Sequence, residues 1–191
     1  MKKEAIITLP NPKLRQKSTK VSFVTPEIKQ LVDDMVAVSI DWENSRPHEL
    51  SAALAAVQID QPYKVTIIRD EFEDKDMRTF TALINPKIIK FEGKIETDYE
   101  GCLSVPGVYG LVPRHSKIRV QAMDIDGNEV RFKADGFLAR LIQHEVDHTN
   151  GIVFIDHIRD QKDAFFELDE KGELKPLDYE KNIAQNSILW D

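Results

Sequence analysis

The sequence has a single cysteine, no long apolar run and no excess of positive charge. Because Cys102 is the only cysteine among 191 residues, an internal disulfide is excluded. No apolar run approaches the roughly 18–20 residues that span a membrane. The start of the chain also lacks the apolar stretch and cleavage site of a signal peptide. We therefore expect an intracellular protein of the bacterial cytoplasmic type, without membrane binding, although an organelle location stays open.

Acidic residues outnumber basic ones, with 33 Asp and Glu against 26 Lys and Arg and a net charge of −7. Since phosphate binding requires a basic face, this balance argues against direct nucleic-acid binding. At roughly 150 residues per domain, the length corresponds to about one domain. We expect a catalytic domain over residues 1–160. Residues 161–191 are expected to form a tail of a hairpin and a short helix packed on it. The oligomeric state is open, with a monomer favoured.

Hydrophobic periodicity predicts a helix followed by antiparallel strands. The segment 25–42 begins with T-P-E, which suits a helix start, and repeats apolar residues at three- and four-residue steps. Over residues 63–134 the period changes to two, which is typical of half-buried strands. We expect Pro86 to end one of these strands and Asp126-Gly127 to form a hairpin turn.

A second helix, predicted over residues 136–149, carries the clearest chemical motif. Its first turns have little polar surface, which predicts a buried helix. The predicted fold class is α+β, with antiparallel strands surrounding this central helix. The helix contains H-E-V-D-H at residues 144–148, which is the pattern H-E-x-x-H. Positions four apart differ by about 40° around a helix, so His144 and His148 share a face and can hold a divalent metal.

Two histidines do not complete a metal site, and the sequence offers two sources for the third ligand. Asp156 and His157 follow the motif, whereas Cys102 stands in E-G-C-L-S at residues 100–104. A thiolate binds zinc or ferrous iron well, so the histidine pair favours Cys102. Glu145 follows the first histidine and can reach a water molecule at the metal.

The other charged groups near the motif have structural interpretations. We interpret His48, His115 and His157 as surface or structural residues, because none of them has the helical spacing of the pair. Asp147 lies off the metal-facing side of the helix, and we expect it to pair with Arg114 as a brace. The alternative for the whole motif is a solvated helix that matches by chance. That alternative conflicts with the cost of burying two histidines and two carboxylates without partners.

Three motifs together resemble the peptide deformylase family. They are L-A-A-V-Q at residues 54–58, E-G-C-L-S at 100–104 and Q-H-E-V-D-H at 143–148. They occur in the family's order, and the resemblance covers most of the chain. The first family motif is usually G-x-G-L-A-A-x-Q, and Ser51 and Ala53 replace both of its glycines. The β-carbon of Ala53 either narrows the cleft or changes the peptide accepted, unless the segment shifts slightly.

The resemblance implies a hydrolase that removes the formyl group from the N-terminal formyl-methionine of nascent polypeptides and releases formate. One divalent metal ion is implied, with Fe²⁺ expected and Zn²⁺, Ni²⁺ or Co²⁺ compatible with a purified sample. Its ligands would be Cys102, His144 and His148. Glu145 would act as general base and then general acid. The side-chain amide of Gln58 and the backbone N–H of Leu103 would donate to the developing oxyanion.

The resemblance also implies a substrate cleft beside the metal. The residues expected to line it are Ala52, Ala53, Leu54, Glu100, Gly101, Phe137 and Leu141. Phe137 and Leu141 precede His144 on the helix and are expected to contact the methionine side chain. Glu100 is expected to bind backbone near the cleft. The implied partners are N-formylmethionyl nascent peptides, and a transient association with the ribosome is compatible with that role.

The sequence leaves three other functions open. A deformylase-like metal-binding protein would have weak or altered activity because of Ser51 and Ala53. A zinc endopeptidase that uses only H-E-x-x-H would cleave internal peptide bonds and keep its metal after Cys102→Ser. A cysteine hydrolase, with Cys102 as nucleophile and His144 as base, would resist chelators.

Overall fold

The computed structural model describes residues 1–46 and 49–190 of the chain, so His48 lies outside the described residues. The helices are α1 (Pro26–Asn44), α2 (Gly136–Thr149), α3 (Tyr179–Asn182) and α4 (Ser187–Trp190). The strands are β1 (Ala53–Ala55), β2 (Val65–Arg69), β3 (Phe80–Gly101), β4 (Tyr109–Met123), β5 (Glu129–Asp135), β6 (Phe165–Leu168) and β7 (Leu174–Pro176). No helix within these described ranges combines the length and apolar character needed to cross a lipid bilayer.

The described strands form one antiparallel sheet, as the alternating pattern predicts. β1 pairs with β2, β2 with β3, and β3 with β4. The other edge of β4 is shared, because one end pairs with β5 and the opposite end pairs with β6. β6 in turn pairs with β7. The C-terminal hairpin is therefore an extension of the same sheet.

The prediction that Pro86 ends a strand is wrong. β3 continues through Pro86, and its register with β4 shifts on either side of this residue. Such a β-bulge accommodates a proline, which has no N–H to give to the ladder. Asn85 adopts a positive φ of 52° at this point. Its side chain accepts the N–H of Val21 at 2.9 Å and donates to the Val21 carbonyl at 2.7 Å, which fixes the bulge.

The two long helices match their predicted positions. α1 begins at Pro26 and α2 covers residues 136–149 as expected. α2 ends at Thr149, and two residues later Gly151 has a φ of +77° and donates its N–H to the His148 carbonyl at 3.1 Å. A β-carbon there would lie 2.4 Å from the carbonyl oxygen of Arg15, so only glycine fits. α2 packs against β1, β2, β4 and β5.

A buried ion pair joins the end of α1 to β2. Arg69 Nη1 donates to Glu43 Oε2 at 2.9 Å, and both side chains are almost completely buried. The same oxygen accepts the backbone N–H of Ser51 at 3.1 Å. The pair therefore also holds the segment that leads into β1.

Arg69→Met is expected to lower the free energy of unfolding by about 3–5 kcal/mol, because it leaves the Glu43 carboxylate buried without this cation. Urea denaturation measures the change. Arg119→Met is the matched control, since Arg119 pairs with Glu92 on the surface and exposed pairs contribute little. Equal losses in the two variants would contradict the prediction.

Candidate metal centre

The three predicted ligands converge at one point. Cys102 directly follows β3, and His144 and His148 lie one turn apart on α2. Their ligand atoms all lie within 4.8 Å of one another. The Sγ of Cys102 is 3.2 Å from Nε2 of His148, and the two imidazole centroids are 4.9 Å apart. The fold therefore brings residues that are about forty positions apart into one donor set.

The chemistry of this donor set fits a divalent transition metal. A thiolate and two imidazoles are typical ligands of zinc and ferrous iron, and three protein ligands leave a fourth position open. The N–H of Ser104 and the Nε2 of Gln58 both donate to Cys102 Sγ at 3.4 Å, which fixes the position of the sulfur. Burial lowers the pKa of His148 well below its ordinary value, which favours the neutral imidazole that ligates metals.

Glu100 orients the first histidine. Burial opposes its charge, but hydrogen bonds from His144 and Arg114 hold the pKa of Glu100 far below its usual range. The carboxylate therefore accepts, and His144 Nδ1 donates to Oε2 at 2.9 Å. Arg114 and Arg140 donate to the same carboxylate at 2.7–3.0 Å. The Glu100 side chain thus orients His144, and the expected contact of Glu100 with backbone near the cleft stays a prediction.

The predicted pairing of Asp147 with Arg114 is confirmed. Arg114 Nη1 donates to Asp147 Oδ2 at 2.5 Å. His157 Nε2 lies 2.7 Å from the same oxygen, so its ring belongs to this brace. Because Arg114 also holds Glu100, the brace extends from the half-buried Asp147 to the ring of His144.

Glu145 is a buried carboxylic acid in the wall of the cleft. The residue is 3% exposed and lines the cleft. Its Oε2 is buried and has no hydrogen-bond partner within the described part of the chain. Burial raises the pKa of Glu145 to about 7. A carboxyl group whose pKa lies near neutrality can accept a proton from a molecule bound beside it and can then return it.

Gln58 points its amide toward the metal ligands. It lies in a 3-10 turn that follows β1 and is 2% exposed. Its Oε1 accepts the N–H of Ala55 at 2.8 Å, which fixes the amide orientation. Its Nε2 then donates to Ser104 Oγ at 3.2 Å and to the Cys102 sulfur. These contacts hold the Gln58 amide beside Cys102.

A cleft of about 390 Å³ lies beside the donor set. Its lining includes Gln58 and Leu103 together with most of the predicted substrate contacts: Ala52, Ala53, Glu100, Gly101, Phe137 and Leu141. Leu54 is the exception, because it is fully buried between α1 and the sheet. Successive side chains on a strand point to opposite faces. β1 therefore turns Ala53 toward the cleft and Leu54 into the core.

The mouth of the cleft contains residues that the sequence pattern does not indicate. The hydroxyl of Tyr109 donates to the carboxylate of Glu49, which links β4 to the segment before β1. Leu168, Gly172 and Leu174 of the C-terminal hairpin also line the cleft, and this hairpin pairs with β4 at Tyr109. Periodicity reveals which face of a strand is apolar, but it does not reveal which distant segment packs beside it.

Comparison with known proteins decides the family. The family model for polypeptide deformylase matches residues 3–164. This chain belongs to the peptide deformylase family. The peptide deformylase of Thermomicrobium roseum is 40% identical over 171 residues, which cover 88% of this chain and 93% of that protein.

Solved peptide deformylases share the fold. The enzyme from Synechococcus elongatus in complex with actinonin has a TM-score of 0.72 at 35% identity, covering 82% of this chain and 79% of that one. The Met-Ala-Ser-bound class I type b enzyme from Acinetobacter baumannii has a TM-score of 0.71 at 28% identity, covering 80% and 96%. The resemblance read from the three motifs is therefore confirmed.

Proposed function

We propose that this peptide deformylase removes the formyl group from the N-terminal formyl-methionine of nascent polypeptides and releases formate. The observation that carries the proposal is the convergence of Cys102, His144 and His148 beside Glu145, whose Oε2 has no hydrogen-bond partner among the residues that the structure describes. The substrate class follows from the family. A deformylase of this family that binds Met-Ala-Ser supports a peptide in the cleft.

The three ligands would hold one divalent ion, and Fe²⁺ is the resident ion that we propose. The same donors also suit Zn²⁺, Ni²⁺ and Co²⁺. When bound, such an ion supplies Lewis-acid activation of water and of the formyl carbonyl. Glu100 keeps the ring of His144 oriented for this task through its hydrogen bond to Nδ1.

The remaining chemistry belongs to the side chains of the cleft. Glu145 accepts a proton from the attacking water as the new C–O bond forms, and then delivers it to the amine nitrogen as the C–N bond breaks and formate leaves. Gln58 Nε2 and the backbone N–H of Leu103 donate to the oxygen that becomes negative during attack. Phe137 and Leu141 form the apolar wall for methionine. Ala52, Ala53 and Gly101 lie beside the peptide backbone.

The same proposal covers the organisation of the chain. α2 would be the central element of a catalytic domain over residues 1–160, with the tail 161–191 packed on it. Phe165 and Leu189 of the tail support this, because they are buried in one cluster with Phe154 and Val112. We propose a monomer that works in a bacterial-type cytoplasm, where it meets N-formylmethionyl nascent peptides and contacts the ribosome transiently.

Formate release from formyl-Met-Ala tests the function directly. The protein is purified anaerobically with ferrous iron, and the assay is repeated after chelation and after metal return. We expect release that chelation abolishes and metal restores. Chelator-resistant activity would favour Cys102 as a nucleophile, and internal cleavage of peptides would favour an endopeptidase. No release from fully metallated protein would overturn the proposal in favour of a binding protein.

The replaced glycines give a separate prediction. Ser51 is fully buried, and its N–H is held by Glu43, while Ala53 lines the cleft with its methyl group. We expect Ser51→Gly with Ala53→Gly to change kcat/KM for formyl-Met-Ala by less than about threefold. The hydrogen bond to Glu43 already fixes the backbone of this segment, so we expect its position to stay the same in the double variant. Each added glycine costs only about 0.5–1 kcal/mol of folding stability. Steady-state kinetics measures the change, and a gain above tenfold would favour the weak-activity alternative.

A further inference from the structure

The C-terminal hairpin of β6 and β7 lies close to the metal ligands through two strand pairings. β6 places Phe166 opposite Tyr109 of β4, and Tyr109 lies opposite Gly101, which precedes Cys102. Adjacent strands are about 4.8 Å apart, so the hairpin begins roughly 10 Å from Gly101. An extended peptide advances about 3.4 Å per residue. A substrate that extends from Cys102 across these strands toward the hairpin would reach it with about its third residue.

The hairpin presents an apolar side to the cleft. Leu168 and Leu174 are directly opposite each other in β6 and β7. Both are half-buried and line the same cleft as Cys102. The next pair, Glu167 and Lys175, is exposed. Because side chains alternate between the two faces of a strand, one face is apolar toward the cleft and the other is charged toward solvent.

Local contacts hold this hairpin in place. The Asp169 carboxylate accepts the N–H groups of Lys171 and Glu173, each at 2.9 Å, which closes the turn. The rings of Phe166 and Tyr99 meet edge to face with centroids 5.0 Å apart, which fixes β6 against β3. The hairpin is therefore a preformed wall at the mouth of the cleft.

We propose that Leu168 and Leu174 form a subsite that selects an apolar side chain at the third residue of the substrate. This inference rests on the proposed function, because the formyl end must lie at Cys102 and the rest of the peptide must leave through the mouth. It concerns a part of the chain beyond residue 164, where the match to the family model ends.

The test compares formyl-Met-Ala-Leu with formyl-Met-Ala-Ser. The metallated full-length enzyme is expected to prefer the leucine peptide, with a kcat/KM ratio of order 10. Leu168→Ser with Leu174→Ser should lower this ratio toward 1, mainly through a higher KM for the leucine peptide. Glu167→Ser is the matched control on the charged face of β6, and it should keep the wild-type ratio. Thermal unfolding of each variant reports whether the hairpin change disturbs the fold.

Leu174→Ala removes less packing and decides the question if the double serine variant does not fold. An intermediate ratio in this variant supports the subsite. A ratio near 1 in the wild type overturns it, as does an equal loss on both peptides in folded variants, which would make the hairpin purely structural. If the wild type releases no formate from either peptide, the proposed function fails first and the subsite fails with it.

Discussion

Replacing Glu145 with glutamine is expected to lower kcat for formate release by about 100- to 10,000-fold, the range that proton transfer by a positioned side chain contributes. Glutamine keeps the shape of the side chain but cannot accept the proton that the attacking water loses. Since Glu145 Oε2 has no hydrogen-bond partner within the described residues, the substitution breaks no contact at that oxygen. The kinetics are measured with formyl-Met-Ala at saturating concentration, together with the metal content of the variant.

Asp147→Asn is the matched control for this experiment. It makes the same chemical change two residues away on α2, where the carboxylate contacts Arg114 and His157 rather than the cleft. We expect a loss below tenfold. If Glu145→Gln keeps its metal and retains more than a tenth of the wild-type kcat, Glu145 is not the proton acceptor.

Cys102→Ser is expected to remove both the metal and the activity. A serine hydroxyl stays protonated near neutral pH and is a poor ligand for a soft divalent ion. Losing an outer partner of a metal site already costs about 10–100-fold in affinity or activity, and we expect the loss of this ligand to exceed that range. The metal-to-protein ratio after dialysis and the rate of formate release measure the two effects on one sample.

His157→Gln tests whether His157, rather than Cys102, supplies the third metal ligand. His157 follows the histidine motif in sequence but contacts Asp147, away from the donor set. This variant is therefore expected to bind metal at the wild-type ratio. Retention of metal in Cys102→Ser together with its loss in His157→Gln would show that the ligand set is wrong.

Local patterns in the sequence predict much of the scaffold and the histidine pair. The three- and four-residue steps give α1, and the spacing of His144 and His148 follows from one helical turn. The turn at residues 126–127 joins β4 and β5 as expected. These features depend on neighbours in sequence, so they can be read without knowing the rest of the fold.

Features that depend on distant segments are not predictable in the same way. Pro86 lies inside a strand because Asn85 and Val21 stabilise a bulge there. The Glu100 carboxylate supports His144 because Arg114 and Arg140 reach it from β4 and α2. The hairpin contributes to the cleft because β6 pairs with one edge of β4. Hydrophobic periodicity does not show which strand pairs with that edge.

The edge of β4 that β5 and β6 share predicts an order in which the strands pair during folding. β5 follows β4 after a short turn, so the two strands can pair as soon as both have been synthesised. β6 reaches the opposite end of the same edge only after α2 has been added to the chain. Contacts between segments far apart in sequence form more slowly than local ones, because a longer loop must close first. We therefore expect the mouth of the cleft to take its final shape late in folding.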